Sequence, residues 1–263
     1  MPSGDTAVAG PARATGRRDG AHRVIRGLAE VLLTLGVVLV LYVVHELYGT
    51  AVTARSAQAS ASAALDDAWR APVAAPPVVG EPIARLRIPA FGPDWSYAVV
   101  EGTDRPELAA GVGHYAGTPL PGQPGNVGLA GHRVTHGAPF DGLGTLRSCD
   151  AVVVETRDAR LTYRVLPLAS EVRAWPRERA RRAECADVAA PEGVYAGLTG
   201  REVVRPTETS VLDTVPGRPA EAPASPQRLL TLTTCHPRFS ARERLVVHAV
   251  LTETAPRSGR EES

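Results

Sequence analysis

Between Val31 and Val44 the chain reads VLLTLGVVLVLYVV, with no charged residue in the run. Its apolar flanks carry it from Leu28 to Tyr48, close to the ~20 residues a helix needs to cross hydrocarbon, and Glu30, His45 and Glu46 lie where side chains can snorkel to an interface. Arg13, Arg17, Arg18, Arg23 and Arg26 precede the run, a bias that keeps an N-terminus on the cytoplasmic side. The segment over 27–48 is therefore expected to be a transmembrane anchor behind a cytoplasmic basic tail, 1–26. A cleaved signal peptide is the rival reading, and Tyr48-Gly-Thr-Ala-Val-Thr-Ala only loosely resembles a cleavage site.

After the anchor the pattern changes twice. AVTARSAQASASAALDD, Ala51 to Asp67, can continue as a helical stalk, and APVAAPPVVGEP, ending at Pro82, reads as a proline-rich linker, so 49–82 is taken as a tether. From Ile83 apolar and polar residues alternate in short runs: ARLRIPA, SYAVVEG, NVGLAGH, AVVVET, LTYRVL, REVVRP, RLLTLTT and RLVVHAVL. A period of two in runs rich in Val, Leu and Tyr, bounded by Gly, Pro and Asp, predicts strands, and so many short strands predict an all-β barrel or sandwich over 83–252. Residues 168–200, with PRERARRAECADVAA, break the alternation and read as a charged helix or an exposed insertion. A polar tail, 253–263, is expected to fray.

Charge narrows the function only a little. The formal net charge is +1, all 29 basic residues are arginine, and no long basic run exists, which argues against nucleic acid as a partner. Only three cysteines occur, and one of them, Cys235, ends an apolar strand-like run that a second such run closely follows. A thiolate there would need positive charge nearby, and Arg244 begins the next strand, within reach across a tight return after HPRFSARE. An arginine cannot serve as a base, but it can stabilise an oxyanion. A general acid would ordinarily be histidine. Of the seven, His22 and His45 fall outside the domain, His248 is set in a strand, and His236 neighbours the cysteine and so faces the other way. His114, His132 and His136 remain, and His132, just after a strand and beside Gly131, fits best. A zinc pair from His132 and His136 has the right spacing, but Gly137, Ala138 and Pro139 follow at once and no glutamate adjoins His132, so no metal is expected.

Together these motifs resemble the sortases, membrane-anchored cysteine transpeptidases of Gram-positive bacteria. TLTTC at 231–235 is similar to the family's TLxTC signature, and GHYAGTPLPGQPGNVGLAGHR at 113–133, with GAPF after it, is similar to its histidine region. GHYxGT, AGHR and TLTTCHP with RLVVHA are most like class E, found in high-GC actinobacteria, which fits the all-arginine composition.

The resemblance implies an eight-stranded sortase-type barrel with short helices, needing no cofactor. Cys235 matches the nucleophile, His132 the general acid/base and Arg244 the oxyanion-stabilising arginine, in preference to Arg238 or Arg242 in the turn. Thr234 matches a signature threonine that positions substrate or arginine, or is an ordinary strand hydroxyl. His114 falls in a motif position, substrate-binding or structural. His136 stands where class E usually has tyrosine, at a position implicated in reading a sorting motif resembling LAxTG rather than LPxTG.

The implied partners are secreted proteins with C-terminal sorting signals, a lipid-linked peptidoglycan precursor and the plasma membrane, with the catalytic domain outside. A pilin-polymerising sortase and a non-catalytic tethered binding domain are the alternatives. Cys149 and Cys185 have no catalytic counterpart. In an extracytoplasmic chain they are either two buried thiols or a disulfide pinning the insertion to the barrel.

Overall fold

The computed structural model describes residues 16–45, 50–71, 76–218 and 223–257. Two compact units emerge, Met1–Glu46 and Leu47–Ser263. The first is helix α1, Gly16–Val44. Its stretch His22–Val44 has mean hydropathy 2.4 and buries nothing against protein, as suits a single-pass membrane anchor. The helix starts well before the expected boundary at residue 27, because Gly16–Arg26 continues the same turn pattern without a breaking proline. Most of the basic tail and residues 46–48 of the expected anchor lie outside the described residues.

The second unit starts with α2, Thr50–Arg70. The expected helical stalk forms and packs on the barrel. Ala54, Gln58, Ala61, Leu65 and Trp69 recur at three- and four-residue spacing, one stripe of a helix. Ala54, Leu65 and Trp69 are buried. Gln58 accepts from the Ala98 amide through Oε1 (2.9 Å) and donates to the Ala98 carbonyl through Nε2 (3.2 Å), and Asp66 pairs with Arg85 at 2.9 Å.

Nine strands follow: β1 Pro82–Arg87, β2 Ser96–Glu101, β3 Val112–His114, β4 Gly125–Gly131, β5 Ala151–Glu155, β6 Ala159–Val165, β7 Arg201–Val204, β8 Arg228–His236 and β9 Glu243–Pro256. Their order is β6-β5-β1-β2-β3-β4-β8-β9-β7, and a further pairing of β6 with β9 closes eight of them into a barrel. The eight are not the eight alternating runs. REVVRP forms β7, which pairs only with the N-terminal half of β9 and stands outside the closure. Three-residue β3 takes its place, parallel to β2 and antiparallel to β4. β9 is long enough to serve three neighbours, pairing with β8 over most of its N-terminal and middle residues and with β6 from Ala249 to Pro256. It therefore claims part of the tail expected to fray.

Inward-facing positions of β4, β8 and β9 fall in one core: Val127, Leu129, Leu230, Leu232, Leu245 and Val247. Period-two alternation then turns Gly128, Ala130, Thr231, Thr233, Cys235, Arg244, Val246 and His248 outward. A short helix α3, Arg105–Ala110, lies between β2 and β3; the connection between β6 and β7 contains the short helix α4, Trp175–Arg181, and has a core of its own from Cys149, Leu166, Trp175, Cys185 and Val188. It is more than tolerated surface. Cys149 and Cys185 are joined by a disulfide across 36 positions, and the Trp175 indole donates to the Val188 carbonyl at 3.1 Å.

Candidate active site

Strand register assembles the site. β8 and β9 pair antiparallel with Cys235 directly opposite Arg244. Opposite residues of such a pair carry their side chains on one face, with Cβ atoms roughly 5 Å apart. On its other edge β8 runs parallel to β4, and the ladder continues to Ala130 opposite Thr233. His132, two residues on, is thus level with Cys235 on the same outer face. A groove of about 220 Å³ opens there, lined by His132–Thr135 on one side and Phe239–Ala241 on the other, with Cys235 at its base. A roomier cavity of about 320 Å³, bordered by Trp69, Val78, Pro121 and Arg157, lies beside α2 and is lined by no cysteine or histidine.

Cys235 is a half-buried free thiol. Arg244 curls over its own turn, its Nη1 donating to the carbonyls of Ala241 and Glu243, each at 3.2 Å. Arg238 is committed elsewhere, in an ion pair with Asp141 that ties the β8–β9 turn to the segment after β4. Phe239, 81% exposed and with φ 62°, stands at the mouth of the groove.

The ring of His132 stacks on that of His136, centroids 4.7 Å apart and planes inclined by 21°. Parallel plates leave no point at which both rings could aim a lone pair at one ion, and among the described residues no group of three metal-ligating side chains converges. Burial lowers the His132 pKa below the ordinary histidine value, and the adjacent His136 lowers it further. His136 has φ 53° and accepts from or donates to Thr135 Oγ1 at 3.0 Å. Its loop is held from α2 and β2: Tyr97 donates to the Gly137 carbonyl at 3.2 Å, and Ala54 is the next neighbour of Gly137.

Two other motif residues stand away from the groove. Thr234 points into the barrel, buried, and donates to the Gly131 carbonyl at 2.7 Å, so it braces the end of β4 just before His132 and faces away from the groove. His114 is 1% exposed on β3, with Nδ1 against Glu101 at 2.7 Å and Nε2 near Thr118 Oγ1 and the Pro119 carbonyl. Its place is structural. Sequence reasoning passed over Arg133, which lines the groove and donates from Nη1 to the Cys235 carbonyl (3.3 Å) and to His236 Nδ1 (2.8 Å). One arginine among 29 carries no signal beyond its position beside His132.

The sortase-domain family model matches residues 86–252, most of the barrel and the span that contains His132, Cys235 and Arg244. The chain is a sortase. Sortase SrtE1 of Streptomyces coelicolor is 33% identical over 261 residues, covering 94% of this chain, which spans 62% of that protein's length. SrtE2 of the same organism is 29% identical, with 90% of this chain and 87% of the relative covered. Among solved structures, the SrtF sortase of Corynebacterium diphtheriae superposes with TM-score 0.63 at 42% identity over 72% of this chain and 93% of that one. Sortase E1 from Streptomyces coelicolor superposes with TM-score 0.51 at 31% identity, over 71% and 98%. These relatives place the sortase among class E homologues, and its closed eight-stranded barrel matches theirs.

Proposed function

We propose that this sortase cleaves the Thr–Gly bond of LAxTG- or LPxTG-like C-terminal sorting signals and joins the threonine to an amine of a cell-wall precursor. The observation that carries the reading is the register, which sets Cys235 opposite Arg244 and level with His132, with Cys235 and His132 lining one groove. The Cys235 thiolate attacks the threonine carbonyl carbon, and the charge gathered on oxygen is met by Arg244, whose Nε and Nη2 donors remain after Nη1 is bound to its turn. His132 as imidazolium protonates the glycine nitrogen as the C–N bond breaks, leaving a thioester on Cys235. The acceptor amine then attacks that thioester, gives its proton to neutral His132, and the C–S bond breaks to regenerate the thiolate.

The burial that lowers the His132 pKa favours the neutral ring. A reaction that needs thiolate and imidazolium together therefore runs on a minority of molecules at neutral pH. α1 serves as the membrane anchor, with its basic end cytoplasmic and the barrel outside, where substrate and lipid-linked acceptor are confined to the same surface and tethering raises their effective concentration. A disulfide in the barrel unit accords with an oxidising compartment.

The test uses the full chain in detergent micelles with quenched peptides carrying LAxTG or LPxTG, and glycine- or diaminopimelate-type amines. Cleavage that requires Cys235 and yields an amine-ligated product supports the reading. Peptides left intact by a folded enzyme, with Cys235 inert to a thiol probe, would replace it with a tethered binding domain.

A further inference from the structure

The parallel ladder between β4 and β8 ends at Ala130 and Thr233, two residues before those that must meet. Beyond it two side chains continue the connection. From below, Thr234 Oγ1 donates to the Gly131 carbonyl at 2.7 Å, joining the residues that immediately precede Cys235 and His132. From above, Arg133 joins the residues at and after Cys235, through its Nη1 contacts to the Cys235 carbonyl and His236 Nδ1. His132 and Cys235 are thereby bracketed by one cross-strand bond on each side.

We infer that Arg133 is a positioning residue: it fixes the Cys235 strand end against the His132 loop and holds His236 out of proton transfer. The inference rests on the reading of Cys235 and His132 as the reacting pair.

The chemistry of the guanidinium makes the assignment specific. Arginine only donates, so a bond to His236 Nδ1 requires that nitrogen to accept, which places the ring proton on Nε2. The imidazole adjacent to the nucleophile in sequence is thus fixed in one tautomer and turned towards Arg133. The two N–H groups of one Nη1 serve both acceptors at once. The guanidinium is also confined. Its Nε is buried without a hydrogen-bond partner among the described residues, and a Cβ built on Gly144 would come within 3.7 Å of Nη2.

The experiment pairs kinetics with a spectroscopic readout. Arg133→Ala and Arg133→Gln are expected to lower kcat for peptide cleavage on the order of 10²-fold with little change in KM, since a displacement near 1 Å at a reacting pair has that effect. Alkylation of Cys235 by iodoacetamide, which needs no alignment with His132, should stay close to the wild-type rate. The Arg133→Ala and His236→Ala losses should also fail to add. Nitrogen-15 shifts of the wild-type enzyme should show His236 with Nδ1 as the acceptor and Nε2 protonated, a result that depends on neither activity nor any variant's folding. The assignment is overturned by an Nδ1-protonated His236, by kcat within a few-fold of wild type in a folded variant, or by a loss that lies wholly in KM. A wild-type enzyme inactive on every peptide would instead remove the functional reading and leave the tautomer result standing.

Discussion

Consider removal of the Cys149–Cys185 disulfide. The bond closes a loop of 36 positions around α4, and its two sulfurs sit in a buried cluster with Leu166, Trp175 and Val188. Cutting it frees the unfolded chain, and the loop-entropy relation puts the loss of stability at about 4 kcal/mol. For a domain of this size that corresponds to a fall in Tm of roughly 8–16 °C. Calorimetry of the full chain in detergent, oxidised and after reduction, measures the difference without altering a side chain. Cys149→Ala with Cys185→Ala should reproduce it, with a small further loss from the truncated core. Neither cysteine lines the groove, so turnover at 25 °C should hold within about twofold, as expected for separated sites. Oxidised and reduced melting temperatures that coincide, or three thiols counted by mass tagging of the unfolded oxidised protein, would refute the reasoning.

Further outcomes follow from other contacts. Arg244→Ala should lower kcat/KM for peptide cleavage by about 10²–10³, the usual effect of losing an oxyanion donor, with Arg244→Lys recovering part; a loss under tenfold would remove Arg244 from that role. His136→Gln removes the like charge beside His132 but not its burial, so the His132 pKa should rise part of the way to the ordinary histidine value and its limb of the kcat/KM pH profile should move to higher pH. The same shift has a stability sign. With the folded pKa depressed, the unfolded chain takes up the proton first as pH falls through the histidine range, so the barrel loses stability towards acid, and His136→Gln should reduce that loss. Urea melts at both ends of the range check it. Leu65→Ala on α2, where the side chain is 1% exposed, should cost about 2–5 kcal/mol, and a cost below 1 kcal/mol in urea titrations would mean that the helix is not docked in solution.

How much of this was legible in the chain depends on what each element relies on. The seven alternating runs that enter the barrel declare themselves because one face meets the core and the other does not. β3 does not declare itself. Val112-Gly113-His114 is too short for a period, and it is a strand only because β2 and β4 offer edges on either side. Nor can alternation distinguish β7 from its neighbours, since its exclusion from the barrel depends on β6 taking the far half of β9. α2 was read as a stalk, without its packing, for a related reason. Its buried stripe is built mostly from Ala and Gln, with only Leu65 and Trp69 large enough to signal burial.

The candidate site was more legible, because cysteine and histidine are rare in this chain, and the place of Arg244 follows from the register of the strand after Cys235. Thr234 and Arg133 were not. A hydroxyl or guanidinium that joins two strand ends is known only once the strands are aligned.

The sharing of β9 has a consequence for how the protein comes into being. Residues 243–256 follow every other strand in the chain, yet they both seal the barrel against β6 and set Arg244 opposite Cys235. Closure against β6 is a late, non-local step, which favours slow folding, whereas Cys235 meets Arg244 in a local hairpin. A nascent chain would hold the Cys235 thiol without Arg244 opposite it until that strand arrived.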